Sequence, residues 1–405
     1  MGKFRPWLLL LIAATQICLT TYALWLPWSA GIPVLFCLNG LLFTALLVQQ
    51  PALSIHPNPR VWMNPWKWVL LFAGMVYSYQ LARTILDKTP LSIEHADMLP
   101  IIHVMGKRFL AGHWQEVYTP IAEIWNGIQP IYLPAMWLPF TLADIFHFDL
   151  RWVTVGGVWI GVIVIVLQSG RFRSISIWLV LAVLSVLLWW LHTEERNNLF
   201  RLTEEGVVIA YHVLLVLAIV YRRPVWLGIA ISACLLSRYV LITAVPAVLL
   251  WWVLQKEWQV LIRTALTVLV CCLLTICCFG LAPFEQMLHI PGTYIQHAAR
   301  VWQEHPEYFS YTPGMAAVFG PDKIVLQHQL LLILGFGMPL LFSVLMYWFY
   351  RKQTIANMEL AIATLAITVF YTLVDVPYLY LYYTPVFWYL AIAALAMKQV
   401  ESKTI

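Results

Sequence analysis

Residues 330–350 read LLLILGFGMPLLFSVLMYWFY, an uncharged run long enough to cross a bilayer as a helix. About twenty apolar residues rising 1.5 Å each span a hydrocarbon core of roughly 30 Å. Without water, a segment of this kind satisfies its backbone polar groups only by folding as a helix. Similar runs recur outward from it, near 7–26, 31–48, 66–86, 152–168, 175–191, 206–221, 225–237, 239–254, 260–280, 358–374 and 377–396, the quoted run itself extending over 327–350. The reading is an all-α polytopic transmembrane protein, one integral membrane domain over 1–405 with about 12 crossings. Composition agrees, because 62% of residues are hydrophobic and 11% charged, against about 25% charged in a soluble domain.

One more apolar stretch, 131–147, holds Pro134 and Pro139. Each proline removes a helix donor and kinks the axis, so a re-entrant dip is expected there rather than a crossing. With that choice the basic residues sort to one side. Lys3, Arg5, Arg60, Lys67, Arg171, Arg173, Arg222, Arg223, Lys256, Arg263, Arg351, Lys352, Lys398 and Lys403 share it with only Glu257, Glu359 and Glu401. Basic residues mark the cytoplasmic side, so both termini are expected there, with an uncleaved first helix, in the inner (cytoplasmic) membrane. No basic stripe of the nucleic-acid type remains, and nucleic acid is not an expected partner.

Two long segments then share the outer face, 87–147 and 281–326, and loops of that length are usually functional. In the first, Met98, Ile102, Met105 and Phe109 recur at helical spacing, with His103 and Lys107 turned away, which predicts a short helix on the membrane surface. The halves 225–237 and 239–254 are short and meet at Arg238, predicting a bent hairpin whose tip reaches the outer layer. Cys271, Cys272, Cys277 and Cys278 lie in one apolar run and read as packing residues. No metal-binding or Gly-rich phosphate motif is present, so no cofactor or metal ligand set is assigned, with a divalent ion left open.

The first outer segment carries Glu94-His95-Ala96-Asp97, then Gly112 and Tyr118, then Tyr132-Leu133-Pro134. This order resembles the GT-C class of membrane glycosyltransferases, most closely glycosyltransferase family 87, whose loop runs Asp, a small-residue helix, Gly-x-x-x-Tyr and Tyr-Pro-Pro. Leu133 stands where that family has its first proline, and Glu205-Gly206 where relatives often have Gly-Gln. The resemblance implies a GT-C-like fold and an enzyme of the hexosyl- or pentosyltransferase kind, drawing on a polyprenyl-phosphate sugar. The acceptor would be an extracytoplasmic glycan or lipid at the outer face, and membrane lipids would surround the chain.

The chemistry of such a transfer needs a base for the acceptor hydroxyl, and a placed carboxylate contributes about 10² to 10⁴ in rate. Asp97 is the candidate base, with Glu94 beside it. Charge developing on a departing phosphate calls for arginine, so Arg238 comes first, followed by Arg196, Arg201 and Arg300, with His95 and Tyr132 as further binding candidates. One base without a covalent nucleophile implies inversion. Simpler readings stand beside several of these: an ion pair of Arg238 with an outer acid, a local Arg83–Asp87 pair, and an interfacial aromatic belt for Tyr378, Tyr380, Tyr382, Tyr383, Trp388 and Tyr389. The competing function is a transporter or lipid flippase, which would favour repeated halves and midplane charges.

Overall fold

The apolar runs become helices, in which backbone donors and acceptors pair without water. A computed structural model of the chain describes residues 5–23, 31–53, 65–124, 127–168, 175–350 and 355–402. In chain order its helices are α1 (Arg5–Tyr22), α2 (Gly31–Val48), α3 (Pro65–Lys88), α4 (Met98–Leu110), α5 (Pro134–Trp137), α6 (Thr141–Phe146), α7 (Arg151–Gln168), α8 (Ile175–His192), α9 (Glu194–Asn197) and α10 (Leu199–Leu202). They continue as α11 (Glu205–Tyr221), α12 (Pro224–Leu235), α13 (Ala244–Leu254), α14 (Trp258–Phe279), α15 (Ala282–Glu304), α16 (Ala316–Phe319), α17 (Ile324–Phe349), α18 (Met358–Leu373) and α19 (Tyr383–Ser402).

Among the described residues, 6 helices are long and apolar enough to cross a membrane, or 7 if the pair α12 and α13, bent by 120° where they meet, counts as one span. Four more apolar helices are shorter. Of these α18, with 16 residues, rises about 24 Å, just under the hydrocarbon thickness. The chain is thus a polytopic helical protein with several membrane-spanning candidates. Of the residues used to orient it, Lys3, Arg60, Arg171, Arg173, Arg351, Lys352 and Lys403 lie outside the described residues.

Segment 131–147 forms no span. Pro134 opens α5, a 3-10 turn at Leu138–Phe140 follows, and α6 ends at His147, whose φ is 56°. This broken piece docks on the α12–α13 bend, where Ala135 donates its backbone N–H to the Leu236 carbonyl at 2.9 Å. Tyr211 in α11 donates its hydroxyl to the Ala135 carbonyl at 3.0 Å. Arg151, at the start of α7, donates to the carbonyls of Thr89 at 2.6 Å and Leu86 at 3.0 Å. Those contacts satisfy acceptors that the end of α3 leaves open and pin both ends of segment 87–147 together.

Two glycines bring α7 and α11 into backbone contact. A Cβ on Gly206 would lie 1.9 Å from the Thr154 carbonyl oxygen, and one on Gly157 would lie 2.3 Å from that of Gly206. In an apolar solvent, small residues of this kind are what let helices approach closely. Thr154 then donates its hydroxyl to the Thr203 carbonyl at 2.6 Å, fixing the segment that carries Glu204 and Glu205.

The helix α19 runs through the interior, and this corrects the expected aromatic belt. Tyr382, Tyr383 and Trp388 are wholly buried and Tyr389 is nearly so. Trp388 donates to the Thr364 hydroxyl at 2.9 Å, and the Tyr389 hydroxyl bonds that of Thr368 at 2.8 Å. Hydropathy does not distinguish a helix enclosed by other helices from one at the lipid boundary. On α14, by contrast, Ile262, Leu266, Leu269 and Leu273 form an exposed apolar stripe, suited to lipid.

Segment 281–326 is mostly helical. Its long helix α15 is exposed along much of its length, Leu288 included, and buries Ala298 and Val301 near its C-terminal end. With 17 residues, α11 separates Glu205 from Arg222 by about 25 Å, so these two mark opposite ends of the bundle.

Candidate functional site

At the Glu205 end, four segments meet: the start of α4, the dip, the tip of the α12–α13 hairpin, and α15 with the 375–382 connection. Asp97 is the half-buried residue immediately before α4, and its side chain makes no capping bond there. The start of α4 is tied to the 375–382 connection by the Tyr380 hydroxyl, 3.1 Å from the Met98 sulfur. Asp97 acts electrostatically on Tyr132, Glu204, His297 and Tyr378, so these groups lie within reach of its charge.

Tyr132 is held from below. Tyr118, buried, donates its hydroxyl to the Tyr132 carbonyl at 3.1 Å and accepts from the Trp137 indole at 3.1 Å. The Tyr132 phenol is pushed up from its ordinary pKa, first by burial and then by the negative fields of Glu204 and Asp97. It therefore stays protonated and can donate a hydrogen bond to a substrate oxygen.

The floor is an ion cluster. Arg238, extended at φ −150° between the two halves of the hairpin, donates through one terminal nitrogen to Glu204 at 2.8 Å and to Glu205 at 2.6 Å. Thr384 at the head of α19 donates to the other Glu205 oxygen. Two carboxylates around one guanidinium leave the cluster acidic when all three are charged. Among the described residues, Arg238 Nε, one Glu204 oxygen and the Tyr239 hydroxyl are buried without a protein partner. Buried polar atoms of that kind are met by water or by a ligand.

The rim comes from α15. Arg300 is exposed and donates to His297 Nδ1 at 3.0 Å. An arginine is only a donor, so the imidazole proton sits on Nε2, which lies 2.5 Å from the Tyr378 hydroxyl oxygen. Burial, followed by the Arg300 charge, lowers the His297 pKa below its ordinary value, which keeps the ring neutral. A second pair stands beside this rim: His328 Nδ1 bonds Asp375 at 2.8 Å, with both side chains buried.

The remaining candidates from the sequence lie apart from this set. Glu94 and His95 are exposed on the turn before α4, where His95 Nδ1 is 2.7 Å from the Ser92 hydroxyl. Arg196 is exposed on α9. Arg201 donates to Asn198 Oδ1 at 2.7 Å and to the Glu195 carbonyl at 3.0 Å, closing the α9–α10 corner. His103, expected to face away, reaches into the dip and bonds Asp144 at 2.9 Å. Arg83 and Asp87 form the expected exposed local pair at 3.7 Å.

Sequence reasoning missed Glu204, Glu205 and His328 as site residues. Thr203-Glu204-Glu205-Gly206 immediately before an apolar run was the available signal, since acids at the edge of a span are costly unless they are used. Searches against protein-family models, curated proteins and solved structures found no match for this chain. Its function therefore rests on the geometry and on the resemblance of its loop order.

Proposed function

We propose that the protein is a membrane glycosyltransferase of the GT-C type that moves a sugar from a polyprenyl-phosphate carrier to an extracytoplasmic glycan or lipid. The supporting observation is the uncapped Asp97 carboxylate, held with Tyr132, Glu204 and His297 in one polar site at the end of an apolar helix bundle. Helices α4 and α15 border that site, and on this reading they lie on the membrane surface at the level where a lipid-linked donor presents its head group. The reading puts this site at the outer face of the inner membrane, with about 12 crossings and both termini in the cytoplasm.

In the transfer, the acceptor oxygen bonds to the anomeric carbon from the face opposite the phosphate. The carbon–oxygen bond to phosphate breaks and its electron pair leaves with the phosphate. Asp97 accepts the hydroxyl proton, and the anomeric centre inverts. Tyr132 donates to a sugar or acceptor oxygen. Arg238 serves as counter-ion to Glu204 and Glu205, because a phosphate placed there would join two carboxylates around one cation. The departing phosphate is assigned to Arg300, the exposed arginine of the rim. No cofactor is assigned.

A panel of polyprenyl-phosphate sugars incubated with purified protein tests the reading: one donor is consumed with release of polyprenyl phosphate, and consumption of none rejects it.

A transporter is the second reading, favoured by one feature, the 120° break in α12–α13 with a charged residue at the break. Substrate uptake into proteoliposomes, lost in Arg238→Met, would favour it.

A further inference from the structure

The end of the bundle remote from Asp97 contains two adjoining cavities whose chemistry differs sharply. One, of about 300 Å³, is apolar and runs between α11, α12, α13 and α14, with Leu215, Ile231, Val248 and Val268 on its walls. Its lining extends from Ala244 to Trp252 along α13 and from Thr264 to Cys272 along α14. Eight residues of helix rise about 12 Å, so the cavity is a slot parallel to the helix axes. The other, of about 320 Å³, is about half polar, with Arg222, Gln255, Glu257, Asn357 and Glu359 among its walls. The two share Ile219 and Glu359 as a common wall.

Among the described residues, the second cavity holds opposite charges in unequal number. Arg222 donates to Glu257 at 2.7 Å and to Glu359 at 2.7 Å. Both bonds run through the same terminal nitrogen, so, among the described residues, the other two guanidinium nitrogens are uncommitted. Trp252 donates its indole N–H to the Glu359 oxygen that Arg222 also contacts, at 3.1 Å, so that carboxylate is fixed at the junction of the two cavities. Two carboxylates against one guanidinium favour a cation, while the open edge of that guanidinium favours an anion such as phosphate. A polar head bearing both charges, attached to a hydrocarbon tail, matches the pair of cavities.

We propose that these cavities form a binding site for a zwitterionic phospholipid of the phosphoethanolamine kind. Its ammonium meets Glu257 and Glu359, its phosphate meets the open edge of Arg222, and part of one acyl chain fills the apolar slot. The site is separate from the Asp97 site, about 25 Å away along α11, and it does not depend on glycosyl transfer.

The test uses full-length protein in nanodiscs made from equal amounts of phosphatidylethanolamine and phosphatidylglycerol, with retained lipid identified by native mass spectrometry after detergent release. The expected result is retained phosphatidylethanolamine in roughly fivefold excess over phosphatidylglycerol, the scale of one partly exposed ion pair. Glu257→Gln, at a partly exposed position, removes that preference. Ala363→Leu, which fills the slot from its buried α18 wall, reduces retention of both lipids. Equal retention of the two lipids by the parent protein, a preference for phosphatidylglycerol, or a phosphatidylethanolamine preference that survives Glu257→Gln overturns the proposal. Thermal unfolding of each variant in detergent identifies loss of fold. If Ala363→Leu fails to fold, the Glu257→Gln arm decides.

Discussion

Arg238 and Glu205 meet at 2.6 Å across a sequence gap of 33 residues, joining the tip of a bent hairpin to the first turn of α11. Glu204 shares the same guanidinium at 2.8 Å, so one largely enclosed cation holds two buried carboxylates. Removing only the cation leaves both acids uncompensated in a poorly solvated place.

Arg238→Ala is therefore expected to destabilise the protein by about 3 to 5 kcal/mol. Combining it with Glu204→Gln and Glu205→Gln should recover much of that loss. Thermal unfolding in detergent checks both statements. A variant as stable as the parent but unable to bind donor would instead return Arg238 to the phosphate.

The glycine contact between α7 and α11 makes a second prediction. Gly206→Ala forces its methyl against the Thr154 carbonyl and should cost about 1 to 3 kcal/mol while displacing Glu205. Gly156→Ala is the control, because a Cβ there meets nothing within 4 Å. Parallel thermal unfolding should separate the two variants. Equal stability would mean that the close approach is unimportant.

Glu194 contributes a pH dependence to stability. Burial pushes its carboxyl up from 4.5 to about 8, against the opposing effect of backbone N–H groups of Arg201 and Phe200. A group whose folded pKa is raised contributes stability below its unfolded value and loses that contribution as pH rises through its folded value. Stability should decline between pH 4.5 and 8, at up to about 1.4 kcal/mol per pH unit. Glu194→Gln keeps an acceptor for the two N–H groups and should make that slope measurably shallower. An unchanged slope in unfolding experiments across this range would remove Glu194 as its source.

Arg300 stands at the exposed rim and makes a catalytic prediction. Arg300→Ala should raise the donor KM roughly five- to tenfold, with a smaller effect in Arg300→Lys, which keeps the charge. Steady-state kinetics over a donor series measure this, and an unaltered KM in both variants would take the phosphate away from Arg300.

Much of the framework was legible because periodicity and proline act locally. Met98, Ile102 and Met105 announced α4 by their spacing, and Pro134 and Pro139 announced the broken dip. The pairing of Arg238 with Glu204 and Glu205 was not legible in detail, since it depends on how the hairpin packs against α11. The helix α15 was hidden because its polar residues and Pro283 and Pro291 read as loop. The aromatic run from Tyr378 to Tyr389 does not line a membrane boundary as expected, because tyrosines in an enclosed turn and helix have the same composition as those of such a boundary. Asp97 was singled out from its place in the loop order, whereas His297 and Tyr378, which feel its charge, come from segments 200 or more residues away.

The role of Asp97 is tested most directly by single-turnover transfer with Asp97→Asn, which keeps the side-chain shape and removes the proton acceptor. With saturating polyprenyl-phosphate sugar and acceptor, transfer should slow by about 10² to 10⁴ while donor binding stays within a few-fold of the parent. Transfer at the parent rate by a correctly folded Asp97→Asn protein would contradict the account.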